Sequence, residues 1–179
     1  YLYLTHSGVQ TQNRLPLKYW TQTDAEITGF EVDLKQKVEL NAYGSVVLSA
    51  FADFVKNKNL HPNQFSLFND GNYLPNMPTN RYGMSVEWAQ NDWSARLSSI
   101  YYDKPQYLGK SVSEEIPLPA YNMMDFQIQK HFKLQKTSMD VFLNGSNLLN
   151  EDARPQNSPL KYIAPLPGRG FQVGVNIKI

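Results

Sequence analysis

The last eleven residues, Arg169-Gly170-Phe171-Gln172-Val173-Gly174-Val175-Asn176-Ile177-Lys178-Ile179, decide the fold. Phe171, Val173, Val175, Ile177 and Ile179 fall on one side of an extended backbone. Gln172, Gly174, Asn176 and Lys178 fall on the other. This is the period-two pattern of a strand with one apolar face. Chain ends usually fray, so a terminal stretch this regular is expected to be built into a sheet.

The same alternation recurs upstream. Residues 139–145 set Met139, Val141 and Leu143 against Asp140 and Asn144, with Phe142 on the polar side. Residues 124–132 set Phe126 and Ile128 against Asp125, Gln127, Gln129 and His131. Residues 93–101 set Trp93, Ala95, Leu97 and Tyr101 against Ser94, Arg96 and Ser98. Residues 81–88 set Tyr82, Met84, Val86 and Trp88 against Arg81, Gly83, Ser85 and Glu87. Residues 43–56 carry Val46, Leu48, Ala50, Ala52 and Phe54 on one face, with Val47, Phe51 and Val55 breaking the other. Residues 26–35 set Phe30, Val32 and Leu34 against Gly29, Glu31, Asp33 and Lys35. Residues 1–5 read as the end of a strand already in progress, leading into a polar loop at 7–18 with Gly8, Asn13 and Pro16 as breakers.

The connections sort by length. Short turns are expected at 36–41, 89–92 and 133–136, and long polar, Pro-bearing loops at 7–18, 57–79, 103–120 and 147–167. Strict alternation of short and long connections is the asymmetry of an outer-membrane β-barrel, short turns in the periplasm and long loops outside. A soluble sandwich has no reason to sort its loops this way. The faces agree: one side of the strands is apolar and nearly uncharged. Lys130, in phase with Phe126 and Ile128, is the exception, placed near a strand end where it can snorkel. Trp88 and Trp93 bracket one short turn, and Tyr101 and Tyr102 sit at the other strand end, as aromatic girdles require.

Composition is consistent with this. Charged residues are 18% of the 179, below the roughly 25% of soluble domains. A net charge of +1 gives no field for nucleic acid, so no nucleic-acid partner is expected. Cysteine is absent, which removes disulfides and thiolate metal sites. No apolar run approaches the ~18 residues of a spanning helix, so a helical membrane protein is excluded and a barrel is not. Tyr1-Leu2-Tyr3-Leu4 has no basic region or cleavage site of a secretory leader.

Specific motifs narrow the class. Gln172, Gly174, Ile177 and Ile179 resemble the C-terminal assembly signal of outer-membrane barrels, with Ile179 where an aromatic is usual. Asn147-Leu148-Leu149-Asn150-Glu151-Asp152-Ala153-Arg154 resembles the N-L-x-N-x-x-x-R/Y segment before the last strand of TonB-dependent outer-membrane receptors. Ala164-Pro165-Leu166-Pro167-Gly168-Arg169 resembles their A-P-x-P-G-R stretch. Ala25-Glu26-Ile27-Thr28-Gly29-Phe30-Glu31 is similar to their A-E-x-x-G-x-E strand, and Leu74-Pro75-Asn76-Met77-Pro78-Thr79-Asn80-Arg81 to their L-P-x-x-P-x-x-R strand entry. The four motifs stand in order across the whole chain.

The resemblance implies an all-β fold, an antiparallel transmembrane β-barrel segment. About eight strands here would be part of a barrel of roughly 22, with residues 1–179 its C-terminal portion and the plug domain and earlier strands absent. It implies an active-transport receptor, not an enzyme, in the bacterial outer membrane. Such a receptor imports a scarce metal or metal complex (zinc, haem or a siderophore), and the subgroup it most resembles includes zinc-uptake receptors. Implied partners are TonB, through the missing N-terminal part, the barrel-assembly machinery, through the terminal strand, and outer-membrane lipid. No cofactor is implied. In the motif loop, Pro165 and Pro167 would stiffen the backbone, Gly168 allow a sharp strand entry, and Arg169 bond carbonyls or acids on the rim.

Other readings remain open at this stage. A self-contained eight-stranded barrel with a structural or adhesive role would need its bore filled by side chains. Gly29, Gly83, Ser85, Ser94 and Ser98 fill it poorly. An outer-membrane barrel enzyme is the third reading, and no nucleophile elbow or HExxH supports it. His6, His61 and His131 stand alone, without a second ligand at metal spacing, so the metal-binding residues stay unknown. Glu31, Asp33, Asp53, Glu87, Arg96, Asp125 and Asp140 are expected to point inward and to form ion pairs.

Overall fold

The computed structural model describes residues 2–12, 15–61, 71–110, 115–135 and 137–178. Two sheets form. A two-stranded sheet pairs β1 (Leu2–Gln12) with β2 (Leu15–Gln22). A seven-stranded sheet runs in chain order through β3 (Ala25–Glu39), β4 (Ser45–Asn59), β5 (Arg81–Gln90), β6 (Trp93–Tyr102), β7 (Tyr121–Leu134), β8 (Thr137–Ser146) and β9 (Gly170–Lys178). Every pairing is antiparallel and between neighbours. Among the described residues the sheet is not closed: β9 pairs with β8 and β3 with β4. The only helix among them is a 3-10 turn at Asn41–Tyr43.

Two expectations are corrected. The polar stretch 7–18 is not a loop but most of the β1–β2 hairpin, paired from Leu2↔Gln22 to Gln12↔Leu15. Backbone pairing needs no apolar alternation, which arises only where one face meets an apolar medium. The register slips between His6 and Thr11, beside Pro16, which has no N–H to give the ladder. Among the described residues, the about eight strands expected appear as a seven-stranded sheet and a two-stranded hairpin. The turn expected at 36–41 starts later, because β3 continues to Glu39 and the chain turns at residues 40–44. Gly44, at φ 86°, takes a conformation other residues avoid.

The register puts the apolar set on one face. Val32↔Ala52↔Tyr82↔Tyr101 and Leu34↔Ala50↔Met84↔Ser99 run across β3–β6, and Leu97↔Phe126↔Gly145↔Phe171 across β6–β9. Directly opposed residues share a face. Phe30, Val32, Leu34, Tyr82, Met84, Val86, Phe126, Ile128, Val173, Val175 and Ile177 therefore all lie on one side. That side is bare: Val173 is 72% exposed and Met84 68%. At the long-loop end an aromatic row crosses four strands, Phe30–Phe54–Tyr82–Tyr101, with centroids 6.4, 5.5 and 6.4 Å apart. At the short-turn end Lys130 does not snorkel freely. Its ammonium lies 4.3 Å from the Trp93 ring centroid and 5.4 Å from that of Phe132, a cation–π shelf.

Two of the residues that broke the pattern on the polar face have a packing role. Phe51 stands opposite Gly83, and Phe142 opposite Gly174. In each pair the ring lies over the glycine, where a Cβ would collide with it. A glycine in a strand leaves a gap, and the facing ring covers it.

Candidate functional site

The polar face and the long loops form the candidate site. One line of register crosses it: Glu31↔Asp53↔Arg81↔Tyr102↔Tyr121. Arg81 donates from Nε to Asp53 and places its guanidinium 5.4 Å from the Phe51 ring centroid. Tyr102 stacks on Tyr121, with centroids 4.7 Å apart and planes at 16°. Tyr102 is thus no girdle residue. Period two sends it to the face opposite Tyr101. Of the other charges expected to pair inward, Arg96 meets Glu87 at 3.5 Å and Asp140 meets His131 Nδ1 at 2.6 Å, whereas among the described residues Glu31, Asp33 and Asp125 form no ion pair. Asp125 accepts the Asn147 N–H at 2.8 Å.

Above this wall three loops fold into one body. Leu74, Pro75 and Ala153 are fully buried there. Lys161 lies at its centre, 3% exposed. Its ammonium donates to Glu115, to Asn76 Oδ1 at 2.9 Å and to the Gln156 carbonyl at 2.8 Å. Glu115 also accepts the backbone N–H groups of Asn76 and Gly109, each at 2.9 Å. A buried charge needs both a partner and full hydrogen bonding, and this pair has both. Gly109 fits because a Cβ would meet the Leu74–Pro75 backbone.

The motif loop is organised by Asn147, at φ 48° and 1% exposed. Its Nδ2 donates to the carbonyls of Glu151 at 3.0 Å and Pro167 at 3.1 Å, while Oδ1 accepts the Glu151 N–H at 2.9 Å. The start and end of the loop are thereby stitched together. Leu148 donates its N–H to the Met124 carbonyl at 2.8 Å. Asn150 Oδ1 accepts the Arg169 N–H at 3.1 Å and sits 3.0 Å from where a Gly168 Cβ would be. Arg154 grips both oxygens of Asp152 at 3.1 Å and the Lys161 carbonyl at 3.2 Å. The carbonyl-binding role expected of the Arg169 side chain is taken by Arg154. Pro165 is exposed, and the Pro167 carbonyl serves Asn147. In β9, Gln172 faces Asn144 and Gly174 faces Phe142 on the polar side, and Ile177 faces Met139 on the apolar side. Ile179 lies outside the described residues.

Wall and loops flank an open cleft of about 560 Å³, lined by Glu31, Asp53, Arg81, Tyr102, Tyr121, Pro155, Gln156 and Leu166 among others. Sequence reading missed Lys161, Glu115 and Gln156. No local pattern marks a loop residue whose partners lie 46 or 85 positions away. His61 is exposed, its Nε2 3.1 Å from Asp24 Oδ2, and among the described residues His131 has only Asp140 as an acidic partner. Among the described residues no group of three or more His, Asp or Glu stands close enough to hold a metal ion.

The family model described as TonB dependent receptor-like, beta-barrel, matches residues 2–148. The match stops just inside the motif loop, before β9. No curated protein matches the chain.

Proposed function

Because the chain belongs to the TonB-dependent receptor-like β-barrel family, whose members lie in the bacterial outer membrane, we propose that it serves import of a scarce metal or metal complex. The candidate cargoes are zinc, haem and a siderophore, with energy relayed through TonB. The observation that carries this reading is the sorting of the sheet into two faces. One is apolar and bare, banded by aromatics at both ends. The other is polar, ion-paired and roofed by the long loops.

On this reading the apolar face meets lipid. β3–β9 hold 9 to 15 residues each, enough for the roughly 9–11 of a tilted membrane strand. The short turns are periplasmic and the long loops external. Residues 1–179 form the C-terminal portion of a larger barrel whose plug and earlier strands lie upstream. The open sheet supports this: in a self-contained barrel β9 would also pair with the first strand, and among the described residues it pairs with β8 alone. TonB would be engaged upstream, and the assembly machinery would read Gln172, Gly174, Ile177 and Ile179. Members of the family are transport receptors, and the chain is proposed to do no covalent chemistry.

The test is uptake. Cells lacking this receptor, and cells lacking TonB, are given labelled zinc, haem and ferric siderophore under metal limitation. Uptake of at least one cargo is expected to fall in both strains and to return on complementation. Unchanged uptake of all three would overturn metal import.

A further inference from the structure

The bare face changes character at the long-loop end. There β3 and β4 run past β5: the β4–β5 pairing stops at Asp53↔Arg81, while the β3–β4 pairing continues to Ala25↔Asn59. Period two puts Lys56 and Lys58 in phase with Phe54. Both are exposed, whereas Asn57 and Asn59 on the other face are buried. Lys56 therefore stands two positions beyond the aromatic row that contains Phe54, about 7 Å further along the strand. Lys58 is opposed by Glu26, but Lys56 is opposed by the uncharged Thr28. Among the described residues Lys56 forms no ion pair.

A groove of about 400 Å³ opens beside Lys56. Phe30 and Phe54 give it an apolar side. Lys56, Asn80, Gln106 and Tyr107 give it a polar one. The Tyr107 ring is backed by Tyr73, with centroids 5.1 Å apart. Asn80 Oδ1 accepts the Val55 N–H at 2.9 Å, which leaves Nδ2 as the donor end of that amide. Lys104, exposed and also without an ion pair among the described residues, lines the adjoining recess with Asn80, Gln106 and Tyr107.

This chemistry selects the occupant. Two ammoniums and several neutral donors, with no carboxylate among the described lining residues, suit an oxygen-rich anion that accepts many hydrogen bonds at once. Phosphate is such an anion. The apolar side continues the aromatic band, the level at which acyl chains give way to headgroups. A soluble anion would leave Phe30 and Phe54 unused, and a phosphorylated lipid uses both sides.

We propose that this groove holds the phosphorylated headgroup of an outer-leaflet lipid, its phosphate on Lys56 with Lys104 beside it and its carbon skeleton against Phe30 and Phe54. The proposal rests on the reading that the bare face meets lipid.

The experiment titrates bis-phosphorylated lipid A onto the complete receptor, purified in a neutral detergent, and counts bound lipid by native mass spectrometry. One lipid A is expected to bind ahead of any others, and its dephosphorylated form more weakly. Lys56→Gln should weaken that first binding about fivefold, the scale of one lysine at an anionic surface. Adding Lys104→Gln should weaken it further, and Lys56→Arg should retain it. Lys37→Gln, on the polar face at the short-turn end and paired with Glu39, should leave it unchanged. Equal binding by the wild type and Lys56→Gln, or no preference for the phosphorylated form, would overturn the proposal. Displacement of lipid A by millimolar inorganic phosphate would make the ligand a soluble anion and would overturn it too. If Val86→Arg destabilises the receptor in lipid vesicles while lipid A shows no preference, this inference fails alone. If Val86→Arg is harmless there, the lipid-facing reading fails and takes this inference with it.

Discussion

Lys161 holds three loops through one ammonium, so its removal should be felt locally and severely. Lys161→Met would leave Glu115 buried without a counter-charge, a loss of about 3–5 kcal/mol for a buried pair broken on one side. The expected readout is faster hydrogen exchange and protease cleavage in residues 71–80, 103–120 and 147–169, with the strands still protected. The double variant Lys161→Met with Glu115→Leu should recover much of the protection, because no orphaned charge remains. Equal fragility in single and double variants would show that the loops are held by something else. His61 gives the opposite expectation. It is exposed, and among the described residues its ring meets only Asp24. If the complete receptor binds zinc, His61→Ala should leave the affinity nearly unchanged, and a large loss in a zinc titration would make it a ligand.

Along the strands, much was legible because the physics is local. Period-two alternation states which residues share a face, and the register placed all eleven expected apolar residues together. What misled was equally physical. Phe51 and Phe142 read as errors in a polar face because their purpose, covering Gly83 and Gly174, lies on the neighbouring strand. The β1–β2 hairpin was missed because residues 7–18 carry no period-two alternation to read. The buried loop network was illegible because its partners are far apart in sequence. The two faces also predict a contrast within β5. Val86, mid-strand on the bare face, should tolerate arginine poorly, at about 2–4 kcal/mol if that face meets the bilayer midplane. Glu87, its neighbour on the polar face and already paired with Arg96, should accept Glu87→Gln with a change near the ~0–1 kcal/mol of exposed pairs. Denaturant unfolding of the proposed complete receptor from lipid vesicles measures both. Equal costs would mean that the bare face does not meet lipid.

At the scale of the molecule the open sheet is the dominant energetic fact. β3 and β9 each present an unpaired edge among the described residues. In water such an edge is solvated. In a bilayer each unpaired amide and carbonyl costs several kcal/mol, which is why membrane sheets close. β9 spans 9 residues and β3 15, so the two edges together would expose more unmet groups than the marginal stability of a folded protein can offset. Among the described residues nothing covers either edge: β1 and β2 pair only with each other. Residues 1–179 produced alone should therefore fail to give a stable, protease-resistant species in vesicles that migrates differently before and after heating. On the proposed reading of a larger barrel, co-expression with its further strands should rescue that species by pairing both edges at once. A heat-modifiable, protease-resistant product from residues 1–179 alone would require closure of β9 onto the β1–β2 hairpin. It would favour the small self-contained barrel over the larger receptor.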